Sequence, residues 1–199
     1  FAPQYHQGVR HAMPVRQALG VRTLFNLLGP LVNPAAPRFQ LVGVYDPRLC
    51  ATLARTLGML GCERALVVHG SGLDEIALHD VTHAALLEGG SVRELTLSPE
   101  EAGLERAPLS ALRGGSAAEN GDWLRGLLAG GGSKPHQDAV ALNAGALIWI
   151  CGKAGSLAEG TRQAQAVLSA GRGAEILTRW AALSHAEPAT RRVRSVGKG

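Results

Sequence analysis

The chain has 199 residues, of which 46% are hydrophobic, 18% charged and 4% aromatic. That is enough apolar material for one packed domain and too little charge for a disordered polyelectrolyte, and no apolar run is long enough to cross a membrane as a helix. The formal net charge of +4 is concentrated at one end, where Arg191, Arg192, Arg194 and Lys198 face only Glu187; such a terminus is more often a solvated tail than a nucleic-acid arm, so nucleic acid is not an expected partner.

The first thirty residues read as interrupted helix. Pro3 suits a helix start, Pro14 bends or ends a turn, and Gly20 and Gly29-Pro30 are stops. Asn33-Pro34 and Ala36-Pro37 mark a loop. The nearly unbroken apolar run from Phe39 to Tyr45 predicts a strand buried on both faces, as in a parallel sheet. Asp46-Pro47 follows as a cap with proline at the first helical position. The helix expected over 48–60 carries Leu49, Leu53, Leu57 and Leu60 on one face. A second strand over 64–69 completes a strand–helix–strand unit, which argues for a parallel crossover.

Two more strands fit 82–87 and 92–97, with Gly89-Gly90 as a hairpin turn between them. Ser98-Pro99-Glu100-Glu101 reads as a capped helical turn, and 103–117 is irregular. Helices are expected over 118–129, 135–151 and 156–170, each set off by glycine-rich loops, with 173–183 as a candidate fourth. The expected architecture is therefore α/β, with a mostly parallel central sheet flanked by helices. Residues 1–185 form one partial domain, and 186–199 form a basic, disordered tail.

Cys50, Cys62 and Cys151 are odd in number and far apart, without metal-ligand spacing. They read as reduced thiols, which places the protein in the cytoplasm. No signal peptide is visible. The chain opens at Phe1, without methionine, in what reads as mid-domain sequence, so a fragment or processed chain is expected.

The densest stretch of special residues runs from His6 through Pro14-Val15-Arg16 and Arg22-Thr23-Leu24-Phe25-Asn26 to Gly29-Pro30-Leu31-Val32-Asn33-Pro34. From the residues alone, a basic surface helix ending in a proline-rich loop accounts for it at least as well as a binding site. A second constellation, Gly72-Leu73-Asp74-Glu75, lies just past the end of the strand 64–69, where ligands gather in open α/β sheets. Adjacent carboxylates repel unless a cation offsets them, and magnesium favours one or two carboxylates together with water and phosphate oxygens. A bare Asp-Glu pair is more often a solvated turn. Gly130-Gly131-Gly132-Ser133-Lys134 follows a helix and lacks phosphate-loop spacing, so a flexible connection is expected.

The first stretch resembles the signature of the anthranilate phosphoribosyltransferases. The resemblance continues through Gly43-Val44-Tyr45, Val67-Val68-His69-Gly70, Gly72-Leu73-Asp74-Glu75, Gly114-Gly115 with Glu119-Asn120, and Leu142-Asn143-Ala144, and covers roughly 1–183. It implies an incomplete form of the family's C-terminal domain, shared in class with nucleoside phosphorylases. The implied reaction transfers the 5-phosphoribosyl group from phosphoribosyl pyrophosphate to anthranilate, in tryptophan biosynthesis. The arginine matching Arg16 recognises the anthranilate carboxylate, a role suited to a planar guanidinium that forks two hydrogen bonds. The matching His6 lines the acceptor path, although a structural histidine explains it equally well. Asp74 and Glu75 are implied to hold Mg2+ beside the donor pyrophosphate. The intact family member is expected to be a homodimer.

Two family features are missing: a Gly-Thr-Gly-Gly-Asp loop that cradles the pyrophosphate, and a downstream Lys-His-Gly-Asn stretch. The isolated 199-residue chain is therefore expected to be inactive or nearly so. Two other readings compete. A pyrimidine nucleoside phosphorylase would recognise a nucleobase, which Pro14-Val15-Arg16 and Gly72-Leu73-Asp74-Glu75 argue against. A non-enzymatic, nucleic-acid-binding relative finds support only in the basic tail.

Overall fold

The apolar run after the proline-rich loop is a strand, β1, over Phe39–Gly43. It pairs in parallel with β2, Arg64–His69, in a register that sets Leu41 beside Leu66 and Val42 beside Val67. This computed structural model describes residues 25–185; His6, Arg16, the helices expected before residue 25 and the tail 186–199 lie outside them.

The described residues begin with α1, Phe25–Leu31, which runs through Gly29-Pro30 where a stop was expected. The missing proline N–H costs one helical bond, and Val32 N–H still closes on Leu28 O at 3.0 Å. Between β1 and β2 lies α2, Cys50–Met59, entered through a 3-10 turn at Pro47–Leu49. Asp46 caps that turn, as its sequence predicts: its carboxylate accepts the Arg48 N–H at 3.0 Å. Leu53 and Leu57 are buried on the expected face, but Leu60 is 58% exposed. Leu60 follows the last helical turn, and Gly61, at φ +92°, redirects the chain there.

β3, Thr82–Glu88, and β4, Ser91–Leu97, extend the sheet in the order β1-β2-β3-β4. Gly89 and Gly90 join them at φ +56° and +77°, the left-handed pair that a two-residue hairpin needs. The sheet is mixed. Among the described residues its parallel character is confined to β1–β2, while β2–β3 and β3–β4 are antiparallel. The reason is connectivity: a covering helix crosses from β1 to β2, whereas β2 reaches β3 through a loop and β3 turns directly into β4.

The remaining helices are α3, Ala117–Leu128; α4, Lys134–Ile150; α5, Leu157–Ser169; and α6, Arg172–His185. Ser116 and Glu119 form a reciprocal capping box at the start of α3. The two sheet faces are covered by different helices. Ala65, Val67, Ala85 and Leu87 pack with Leu53, Ala54 and Leu57 of α2. Leu66, Val68 and Leu86 face the other way, onto Leu142, Ala146 and Ile150 of α4. Burial of both faces explains why β2 is apolar without alternation. A third cluster, Leu127, Ala141, Ala164 and Leu168, ties α3, α4 and α5 together.

Candidate functional site

The carboxyl ends of β1 and β2 lie side by side, and the segment after β2 folds back across both. Gly70 and Leu73 exchange two backbone hydrogen bonds, at 2.9 and 3.1 Å, closing a tight turn. Ser71 and Gly72 take positive φ, +50° and +99°, inside it. The next two residues, Asp74 and Glu75, are both exposed, and neither carboxylate has an ion-pair partner among the described residues.

The backbone beneath these carboxylates is close-packed. A Cβ on Gly43 would stand 1.5 Å from Asp74 O, and one on Gly70 would stand 2.3 Å from Glu75 O. Only glycine fits at either strand end. His69 bridges the neighbouring segments: Nδ1 lies 2.8 Å from Val44 O, and Nε2 accepts the Gly72 N–H at 3.2 Å. Beyond Glu75, the Asn143 carboxamide from α4 holds Ile76 by both its N–H, at 3.0 Å, and its carbonyl, at 3.1 Å. Thr82, fully buried at the start of β3, accepts the Ala77 N–H at 2.9 Å. The loop's far end is tied by Asp80, which accepts from the Ser71 hydroxyl at 2.8 Å and from Arg106 at 3.2 Å. The Ser71 hydroxyl, and then the Val81 N–H, pull the Asp80 carboxyl below its ordinary range.

Sequence reasoning singled out Asp74 and Glu75 and met His69 and Asn143 only within the family resemblance. Asparagine in the middle of a helix is a usable signal, because its short amide competes with the helical backbone and needs a tertiary reason to be there. The structure brings Asp74, Glu75, His69 and Asn143 around one turn. Arg16 and His6 are outside the described residues.

Among the described residues no group of three or more His, Cys, Asp or Glu side chains is assembled to enclose a metal. The Asp74–Glu75 pair offers two carboxylates open to solvent, which suits a cation that keeps much of its water, such as magnesium, and does not suit a closed zinc site. On the α2 face of the same sheet end, a cavity of about 420 Å³ is lined by Arg48, Cys50, His83, Glu94 and Thr96. The Cys50 thiol of this lining, and Asp46 just before Pro47 in the chain, are both displaced from their ordinary ranges. Asp46, bonded by the Arg48 guanidinium and then by the Arg48 N–H, is held down at about 2. Burial, followed by the Glu94 charge, pushes the Cys50 thiol up to about 11, so it is a poor nucleophile. A separate apolar groove of about 670 Å³, between α3 and α4, is lined by Trp123, Leu127, His136 and Val140. Lys134, at the end of the glycine-rich connection, pairs with Asp138 one turn on, consistent with a structural role for that loop.

Comparison with known proteins bears on this geometry. The family model described as "Glycosyl transferase family, a/b domain" matches residues 1–174. An anthranilate phosphoribosyltransferase of Sorangium cellulosum is 62% identical over 184 residues, which cover 92% of this chain and 53% of that protein. The crystal structure of anthranilate phosphoribosyltransferase from Thermus thermophilus superposes with a TM-score of 0.83 at 46% identity, covering 91% of this chain and 54% of that one. The Saccharomyces cerevisiae enzyme in complex with PRPP and Mg gives a TM-score of 0.77 at 28% identity, covering 88% and 51%. The chain thus spans about half the length of the curated relatives it matches.

Proposed function

The chain belongs to the glycosyl transferase family, in its a/b domain, and from that premise we propose that it is part of an enzyme transferring the 5-phosphoribosyl group from phosphoribosyl pyrophosphate to anthranilate. The products are phosphoribosyl anthranilate and pyrophosphate, a step of tryptophan biosynthesis. The observation that carries this reading is the Asp74–Glu75 turn: two exposed carboxylates, without an ion-pair partner among the described residues, fixed over the carboxyl ends of β1 and β2. The named ligands of the solved relatives, PRPP and Mg in one and 4-fluoroanthranilate in another, support it.

In this reading residues 1–185 act as one partial phosphoribosyltransferase domain. Asp74 and Glu75 hold Mg2+, which when bound offsets the negative charge that develops on the departing pyrophosphate. Arg16 forks two hydrogen bonds onto the anthranilate carboxylate and so sets the angle at which the amine meets the ribose carbon. An aromatic amine is unprotonated at neutral pH, so placement serves the reaction more than a strong base does. His6 lines the acceptor's approach. The donor cradle is supplied by parts of the enzyme that this chain's sequence does not contain, and the intact enzyme is a homodimer.

The test is steady-state kinetics of an intact enzyme carrying this sequence, following loss of anthranilate fluorescence. Arg16→Ala should raise the KM for anthranilate by roughly 10-fold or more while moving the KM for phosphoribosyl pyrophosphate little. Equal effects on both would remove the carboxylate role. Turnover of thymidine and phosphate in place of anthranilate would overturn the reaction itself.

A further inference from the structure

Asn143 occupies the middle of α4, a position where asparagine is a poor helix former. Its side chain leaves the helix surface and pairs with one loop residue much as a neighbouring strand would. Oδ1 accepts the Ile76 N–H at 3.0 Å, while Nδ2 donates to Ile76 O at 3.1 Å and to Ala139 O at 3.0 Å. His69 does the corresponding work on the other side of the two carboxylates. Val44 O can only accept, so the ring hydrogen sits on Nδ1, 2.8 Å away. That leaves Nε2 as the acceptor for the Gly72 N–H at 3.2 Å. Both contacts are met together only by the neutral Nδ1–H tautomer.

Asp74 and Glu75 therefore lie between two anchored residues, Gly72 and Ile76. Their backbones rest against Gly43 and Gly70, where no side chain fits. We infer that Asn143 and His69 are positioning residues that hold the Asp74–Glu75 turn in a preformed cation-binding shape. This rests on the proposed metal role of those carboxylates. The physical need is clear: adjacent like charges repel, and an unanchored turn would splay them, so binding would bear the cost of reordering. Side chains that fix the shell around a metal in this way alter affinity when removed, although they never touch the ion.

The probe is Mn2+ alone, titrated into the isotopically labelled 199-residue chain, with paramagnetic broadening of the amides at 72–76 as the readout. In the unmodified chain, broadening should centre on these amides and be lost in the Asp74→Asn, Glu75→Gln double variant. Asn143→Leu should weaken Mn2+ binding roughly 10-fold or more and open the Ile76 amide to hydrogen exchange, with the amide pattern of β1 and β2 retained. Asn143→Ala serves if the leucine does not fold. His69→Phe should weaken binding likewise, and His69→Gln, which keeps an acceptor for the Gly72 N–H, should recover much of it. The 15N shifts of His69 should mark Nδ1 as protonated; the opposite tautomer would overturn the His69 assignment without any substitution. Broadening that is absent, or that survives the double carboxylate variant, would overturn the metal reading and this inference with it. Broadening that needs Asp74 and Glu75 but is unchanged in the Asn143 and His69 variants would overturn this inference alone.

Discussion

Single residues do their work here through hydrogen bonds that fix backbone. Asp46 is the clearest charged case. Its carboxylate accepts both the Arg48 side chain and the Arg48 N–H, which lowers its pKa from an ordinary 3.8 to about 2. A depressed acid contributes stability that is complete above its unfolded value and lost as pH falls through the folded one. The window is therefore from about pH 4 to about pH 2. Asp46→Asn keeps an oxygen able to cap the turn and removes the charge. The parent chain should melt higher than this variant above pH 4, and the gap should close by about pH 2. A gap that stays constant across that range would show that the charge contributes nothing.

At the scale of elements, the crossing of α4 and α5 is the tightest contact among the described residues' helices. A Cβ on Gly145 would lie 2.4 Å from Thr161 N, and one on Gly160 would lie 2.2 Å from Gly145 O. Backbone meets backbone there, with no flexible side chain to give way, so added methyl groups must push the helices apart. Gly145→Ala should cost about 2–3 kcal/mol and lower Tm by roughly 5–10 °C for a chain of this size. Gly126 on α3 is the internal control: a Cβ there meets nothing within 4 Å. Gly126→Ala should raise stability by about 0.5–1 kcal/mol, because it removes only the entropy penalty of glycine in a helix. Thermal melts by circular dichroism decide both, and equal effects in the two variants would contradict the packing account.

Across the whole molecule, charge and apolar surface are unevenly distributed. Ile176, Trp180 and Leu183 follow one another along a face of α6, at 62%, 70% and 72% exposure, and α6 buries no residue. The positive charge is distributed differently, with three of the four net charges in 186–199. Any binding to DNA should therefore depend on the tail. Deleting 186–199 should abolish the salt-dependent part of such binding in a filter or anisotropy assay and leave Tm unchanged. Salt-sensitive binding that persists after the deletion would restore the nucleic-acid reading.

Local chemistry alone determined a good part of this. The apolar runs from Phe39 and over 64–69 specified strands; Gly89-Gly90 between two β-prone runs specified a hairpin; and Asp46-Pro47 specified a helix start. Each signal lies within a few residues and needs no partner elsewhere. The Asp74–Glu75 pair was singled out by its place after a strand together with the family resemblance. What the sequence could not decide was what holds that pair. Asn143 is 67 positions from Ile76, and His69 bonds Val44 from 25 positions away. Gly43 looks like an ordinary strand glycine until Asp74 is found above it. Which strands pair in parallel and which antiparallel was decided in the same way, because pairing is set by how the chain returns and not by the composition of any one strand. Hydrophobic periodicity reports which face is buried, while hydrogen bonds between distant segments depend on where folding brings them. The fold's elements were therefore local knowledge, and the geometry of the candidate site was settled by tertiary packing.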